Sequence, residues 1–236
     1  MLNLVKKTLL VIAPHPDDEV IGCGGLIIKI KSLGGKVYVL YLTVGNTADF
    51  TKKGLSTANE RFEEIKKATQ FLKIDGWRIA FPGDKYHLQL DTISQRKLIH
   101  EIERGEKISL ERIKPDIIAF PLQTDYNQDH RAAAQASFAA CRPAPKSNKS
   151  VPDLIVSYNT PMNAWVLGNS DKLNFFVHLT EKQFSIKMRA LRLYESQVRG
   201  KGHLRSEEIL KAVAAFDGAR VGGVLAEGYY CHKLET

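Results

Sequence analysis

TLLVIAPHPDDEVIGCGGLIIKIKSLGGKVYVLYLTV, residues 8–44, carries the pattern on which the fold turns. Its opening run, Thr8 to Ala13, is continuously apolar and rich in branched side chains, as in a strand buried on both faces. Pro14 ends that run and opens the loop PHPDDEVIGCGG. A helix-compatible stretch follows from about Leu26 to Leu33, closed by Gly34-Gly35, and KVYVLYLTV supplies a second apolar strand. The unit predicted is strand, helix, parallel strand.

The same alternation continues outward. Ser56 to Leu72 reads as a helix capped by Ser56 or Thr57, with Phe62, Ile65, Ala68 and Leu72 on one face. WRIAF (77–81), DIIAFP (116–121) and LIVSY (154–158) read as strands, and SQRKLIHEIERGEKISLERI and AAAQASFAA as helical stretches between them. RPAPKSNKSVP (142–152) is a loop by composition, and from about Thr180 the chain turns helical again before a final VGGVLAEGYYCHKL. This order predicts one α/β domain over residues 1–236, a Rossmann-like three-layer fold with a mainly parallel sheet. Ligands of such folds bind outside the carboxyl ends of the strands.

Composition narrows the function classes. A chain of 236 residues buries a sufficient core without disulfides, and 44% hydrophobic with 25% charged residues argues against disorder and membrane insertion. The net charge of +8 is spread along the chain with no dense basic block, which argues against a nucleic-acid partner. Cys23, Cys141 and Cys231 form no CxxC pair, and TLLVIA is too short for a secretory apolar region, so a cytoplasmic setting without a membrane span is expected. Self-association is left open.

Two clusters carry chemistry. His15-Pro16-Asp17-Asp18-Glu19 follows the first strand, and Asp125-Tyr126-Asn127-Gln128-Asp129-His130-Arg131 follows DIIAFP, placing His130 near the first turn of a helix. Alone, each has a plain alternative: Asp17 or Asp18 as a helix cap, His130 as a surface residue. Together, at neighbouring strand ends, they suit a three-ligand catalytic zinc site with an open position for water.

APHPDDEVIGCGG with a downstream DH resembles the PIG-L/LmbE superfamily of N-acetylglucosaminyl deacetylases. The resemblance implies that His15, Asp18 and His130 bind Zn2+ and that Asp17 is the general base. It also implies that the substrate is an N-acetylated amino sugar or glycoconjugate. Where that family commonly shows HPDH, this chain reads Asn127-Gln128-Asp129-His130, so the first histidine is missing. Asn127 is then expected to polarise the scissile carbonyl as a neutral donor, with a simple turn asparagine as the alternative. ERFEEIKKA is similar to the family's R-x-x-E-x-x-x-A helix, implying that Arg61 faces the site and Glu64 supports it. YESQ (194–197) and LAEGYY (225–230) resemble degenerate H-x-S-Q and A-E-x-F segments.

Chemistry completes the expectation. Zinc lowers the pKa of its water, and Asp17 takes that proton and passes it to the leaving amine. Asp84, in FPGDKYH, is placed to reach a sugar hydroxyl, and Trp165, in NTPMNAW, to stack on a ring, with turn formation and core packing as the alternatives. His87, His100, His178, His203 and His232 are scattered and read as surface or hydrogen-bonded residues, with His178 kept as a candidate for substrate contact. The rival reading is a non-hydrolytic nucleotide-binding module, although Gly22-Cys23-Gly24-Gly25 lacks the G-x-G-x-x-G spacing.

Overall fold

Thr8–Ala13 is β1, central in a seven-stranded sheet. The computed structural model describes residues 2–48, 54–145, 147–165 and 172–235. From β1 the chain passes through α1 (Asp18–Ser32) to β2 (Lys36–Val44), then a short hairpin of β3 (Thr47–Ala48) and β4 (Leu55–Ser56). Next come α2 (Ala58–Phe71), β5 (Gly76–Pro82), α3 (Gln95–Arg104), α4 (Leu110–Ile113) and β6 (Ile117–Pro121). α5 (Gln128–Ala140), β7 (Leu154–Tyr158), β8 (Phe175–Leu179), α6 (Glu181–Leu191), α7 (Glu207–Arg220) and β9 (Leu225–Leu234) complete it.

The sheet order is β5-β2-β1-β6-β7-β9-β8. β5, β2, β1, β6 and β7 pair in parallel, and β9 runs antiparallel to both β7 and β8. β1 alternates between two cores: Leu9, Val11 and Ala13 pack with α1, α2 and α6, while Leu10 and Ile12 pack with α3, α4 and α5. Helices thus cover both faces, and each fully buried Leu or Ile contributes about 1.5–3 kcal/mol. The chain leaves β1 on one side for β2 and β5, then returns on the other as β6, so the strand order reverses between β1 and β6. A crevice opens at the carboxyl ends there, and both chemical clusters follow those two strands.

Three features differ from the sequence reading. α1 begins at Asp18, well before Leu26, so the glycine run lies inside the helix. Helix propensity disfavours glycine, but a Cβ at Gly22 would run into the Tyr158 ring, and one at Gly25 would meet Leu179 and Glu227. Side chains also hydrogen-bond to the α1 backbone in mid-helix. Glu227 accepts the N–H groups of Gly25 (2.6 Å) and Leu26 (2.9 Å), while Lys187 Nζ donates to Ile21 O (2.8 Å) and pairs with Glu227 (2.7 Å). The third feature is β8, which the sequence reading passed over; its pairing partner β9 lies far along the chain. α2 matches its expectation, with Thr57 as the cap in a reciprocal capping box with Glu60.

Candidate active site

The loop after β1 turns on Asp17, whose φ of 103° is strained for a non-glycine residue. Glu19 Oε2 accepts the Asp17 N–H at 3.1 Å, and Arg61 Nη2 donates to Pro16 O at 2.8 Å, so both flanks of the turn are held. Asp17 occupies the N-cap position of α1, yet its side chain makes no cap hydrogen bond. Asp18 Oδ2 accepts the His15 N–H at 2.9 Å. The helix-cap alternative for these aspartates therefore does not describe their carboxylates, which face the crevice instead.

His15 Nδ1 is 3.4 Å and His130 Nε2 3.2 Å from Asp18 Oδ2. One ligand atom from each of the three lies within 4.8 Å of the others, and all three residues are buried. The opposite ring nitrogens are held by carboxylates: Asp129 Oδ2 lies 2.9 Å from His15 Nε2, and Asp125 Oδ2 2.8 Å from His130 Nδ1. Such partners fix ring orientation and raise ligand basicity in metal sites. His130 Nε2 is buried without a hydrogen-bond partner, an orphan that a metal ion would satisfy. The donor set, two imidazoles and one carboxylate, fits a divalent cation with room for a water.

The local charges agree with that fit. Burial opposes protonation of His130, but the Asp18 charge and the Asp125 hydrogen bond outweigh it and lift its pKa to about 10. His15 is likewise raised, its burial outweighed by hydrogen bonds to Asp129 and Asp18. Burial would raise Asp18, yet the adjoining histidines hold it well below the usual carboxylate range. Positive charge is thus favoured among these carboxylates. Asp17 behaves oppositely: burial lifts its pKa, with the Arg205 guanidinium offsetting part of the rise.

A cavity of about 250 Å³ opens over these groups, lined by His15, Asp17, Arg61, Asn127 and others from separate segments, including Thr47, Gln197 and Arg205. Asn127 is the N-cap of α5: its Oδ1 accepts the Asp129 N–H at 2.9 Å, leaving the amide NH2 for the cavity. The turn role and the donor role are therefore compatible. Arg61 reaches the cavity wall as expected, but its guanidinium also ties Pro16 O to Ser196 Oγ (2.9 Å), and Glu64 accepts Ser196 N–H at 2.7 Å. That links the HPDD loop to the YESQ segment.

Asp84 and Trp165 do not line this cavity. Both Asp84 oxygens are engaged by Asn46, at 2.6 and 2.7 Å, and Trp165 is 78% exposed after a 3-10 turn at Pro161–Ala164. Conversely, His87 and His203 were read as scattered but line the cavity with Arg205. His87 is buried, packs edge-on to His15 with centroids 5.4 Å apart, and is held by Thr47 Oγ1 at 2.7 Å. A histidine shortly after a strand end was the available signal for His87; nothing local marks Arg205. Gly22, Gly24 and Gly25 lie inside α1 and pack against side chains, so the glycine loop on which the nucleotide-binding reading rests is helix here.

Residues 10–141 match the family described as GlcNAc-PI de-N-acetylase, PIG-L. The chain is 30% identical over 233 residues to the diacetylchitobiose deacetylase of Thermococcus kodakarensis, covering 96% of this chain and 83% of that protein. It is 30% identical over 199 residues to the uncharacterized deacetylase YaiS of Escherichia coli, covering 81% of this chain and 92% of that one. The fold overlays on N,N'-diacetylchitobiose deacetylase from Pyrococcus horikoshii with a TM-score of 0.72, across 95% of this chain and 83% of that one, at 23% identity.

Proposed function

The chain belongs to the PIG-L family, and on that footing we propose that it is a zinc-dependent N-deacetylase that releases acetate from an N-acetylated amino sugar or glycoconjugate of the N-acetylglucosamine type. The observation that carries this reading is the buried His15, Asp18 and His130 cluster beside a carboxylate, Asp17, that neither caps a helix nor binds the cluster. Relatives named as deacetylases support the reaction class. Zinc held by the three residues would supply Lewis acidity and acidify a water.

The chain's own residues then do the rest. Asp17, with its carboxylate made more basic by burial, takes a proton from the attacking water. The C–N bond of the acetamide breaks and Asp17 returns that proton to the amine, leaving acetate and the free amino sugar. Asn127 donates from its NH2 to the acetamide oxygen, and Arg61 contacts substrate at the cavity wall while bracing the loop. Unpaired Cys23, Cys141 and Cys231 fit a reducing cytoplasm, and no helix among the described residues is long and apolar enough to cross a membrane.

Elemental analysis of wild type and His130→Ala, paired with acetate release from a panel of N-acetylated amino sugars, tests this. Stoichiometric zinc lost in the variant, with acetate released only by wild type, is expected. Absence of metal from a folded, metal-supplied wild type would remove the reading.

A further inference from the structure

Arg205 lies on the loop between a 3-10 turn (Glu195–Gln197) and α7, 188 residues from Asp17 in sequence, yet its Nη1 donates to Asp17 Oδ2 at 3.0 Å. The loop is built to deliver it. The Arg205 N–H donates to His203 Nδ1 at 2.9 Å, Ser206 N–H donates to His203 O at 2.8 Å, and Ser206 then caps α7. Asp17 raises the guanidinium's pKa further, so Arg205 remains cationic.

Its position relative to the other donors is informative. Arg205 lines the main cavity and also a narrow pocket that adjoins it through shared lining residues and is walled by Asp18, His130 and Asn127. Of the other arginines of the cavity, Arg61 engages both Nη groups with Pro16 O and Ser196 Oγ and has its Nε buried and unpartnered, Arg199 is held by Ser196 O, Val198 O and Gln197 Oε1, and neither lines the narrow pocket. Arg205 Nη2 and Nε form no hydrogen bond among the described residues and are not sealed from solvent. A guanidinium anchored by one nitrogen, with two further donors and lining a pocket shared with two of the proposed metal ligands, is preorganised for anion binding. Asn127 beside it is neutral.

We propose that Arg205 is a catalytic residue that stabilises the negative charge developing on the acetamide oxygen, with Nη1 anchored on Asp17 and Nη2 or Nε donating to that oxygen. The proposal rests on the deacetylase reading above. As the water oxygen bonds to the carbonyl carbon, Asp17 takes the water proton and the C=O π pair moves onto oxygen, where Arg205 donates hydrogen bonds. The pair then returns, the C–N bond breaks and the amine takes the proton from Asp17. Arg205 transfers no proton at any stage. Its charge matters only while the oxygen is anionic, so it acts on kcat more than on KM.

The test compares metal-loaded wild type, Arg205→Ala and Arg205→Lys, with zinc content and thermal unfolding measured on each. Arg205→Ala is expected to lower kcat by roughly a hundred- to a thousandfold with KM little changed, as for other oxyanion donors. Added guanidinium ion should restore part of that activity, and Arg205→Lys should fall between the two. Affinity for methylphosphonate, a tetrahedral anion, measured by calorimetry, should drop at least about tenfold in Arg205→Ala. Wild-type kcat in Arg205→Ala overturns the proposal. So does a loss confined to KM, or a loss in a folded, zinc-replete variant that neither guanidinium nor lysine recovers and that leaves methylphosphonate binding intact. A wild type that releases no acetate from any N-acetylated amino sugar removes the deacetylase reading, and the Arg205 role falls with it.

Discussion

Asp125 Oδ2 stands 2.8 Å from His130 Nδ1, which aims the other ring nitrogen at Asp18. Asp125 is itself fixed: its Oδ1 accepts the Asn127 N–H at 2.9 Å, closing the turn that leads into α5. The carboxylate therefore selects the tautomer of a proposed ligand and makes it a better donor. Asp125→Ala should weaken metal affinity by about ten- to a hundredfold, the usual loss for such a partner. Competition against a chromophoric chelator measures it. Unchanged affinity in a folded Asp125→Ala protein would mean that the ring is oriented by packing alone.

His87 offers a stability prediction with a definite sign. Burial, then the charges of His15 and Arg61, push its pKa down to about 4 from the ordinary 6.5. The unfolded chain protonates this imidazole near 6.5 and the folded chain only near 4, so the unfolded state binds more protons between those values. The contribution is fully present above about 6.5 and is lost as pH falls toward 4. His87→Gln keeps a partner for Thr47 but does not titrate. Urea midpoints should therefore fall less steeply with acidification in His87→Gln than in wild type; parallel curves would show that His87 is not depressed.

The central sheet was legible because strands buried on both faces are written as continuous apolar runs, and β1, β2, β6 and β7 all are. That His15, Asp18 and His130 come together was legible because the first two lie in the loop and helix start after β1 and the third in the first turn of α5, after β6, at the reversal of strand order. What local pattern does not carry is reach. Arg205 and Asp17 meet only through folding, as do Glu227 and Gly25 across 202 residues. The same gap misplaced the start of α1: glycine propensity argues for a loop, and only the approach of Tyr158 and Leu179 explains why glycine is needed within the helix. Asp84 was read from its strand-end position, but Asn46 takes up its carboxylate.

Glu227 and Lys187 form a buried pair, 6% and 7% exposed, that hydrogen-bonds to the α1 backbone at Gly25, Leu26 and Ile21. In Lys187→Met, Glu227 keeps the N–H groups of Gly25 and Leu26 and the Tyr229 hydroxyl at 2.7 Å. In Glu227→Ala, by contrast, two backbone donors and an ammonium lose their acceptor together. Removing one partner of a buried pair costs about 3–5 kcal/mol, and Glu227→Ala should be the more damaging change. A fall in melting temperature on the order of 10 °C is expected for it. Calorimetry that ranks Lys187→Met as the less stable protein would contradict this account of α1.

Asn127 combines two functions that a pair of substitutions can separate. Its Oδ1 caps α5 through the Asp129 N–H, and the cap is worth about 1 kcal/mol. Its NH2 is the proposed donor to the substrate oxygen. Asn127→Ser retains a capping oxygen but has no group that reaches the cavity, whereas Asn127→Ala loses both. Both variants should turn over roughly ten- to a thousandfold more slowly at unchanged zinc content, with a stability loss in the alanine variant only. Should Asn127→Ser keep full turnover, Asn127 is a cap and nothing more, and the charge on the acetamide oxygen must be met by Arg205 without a neutral partner.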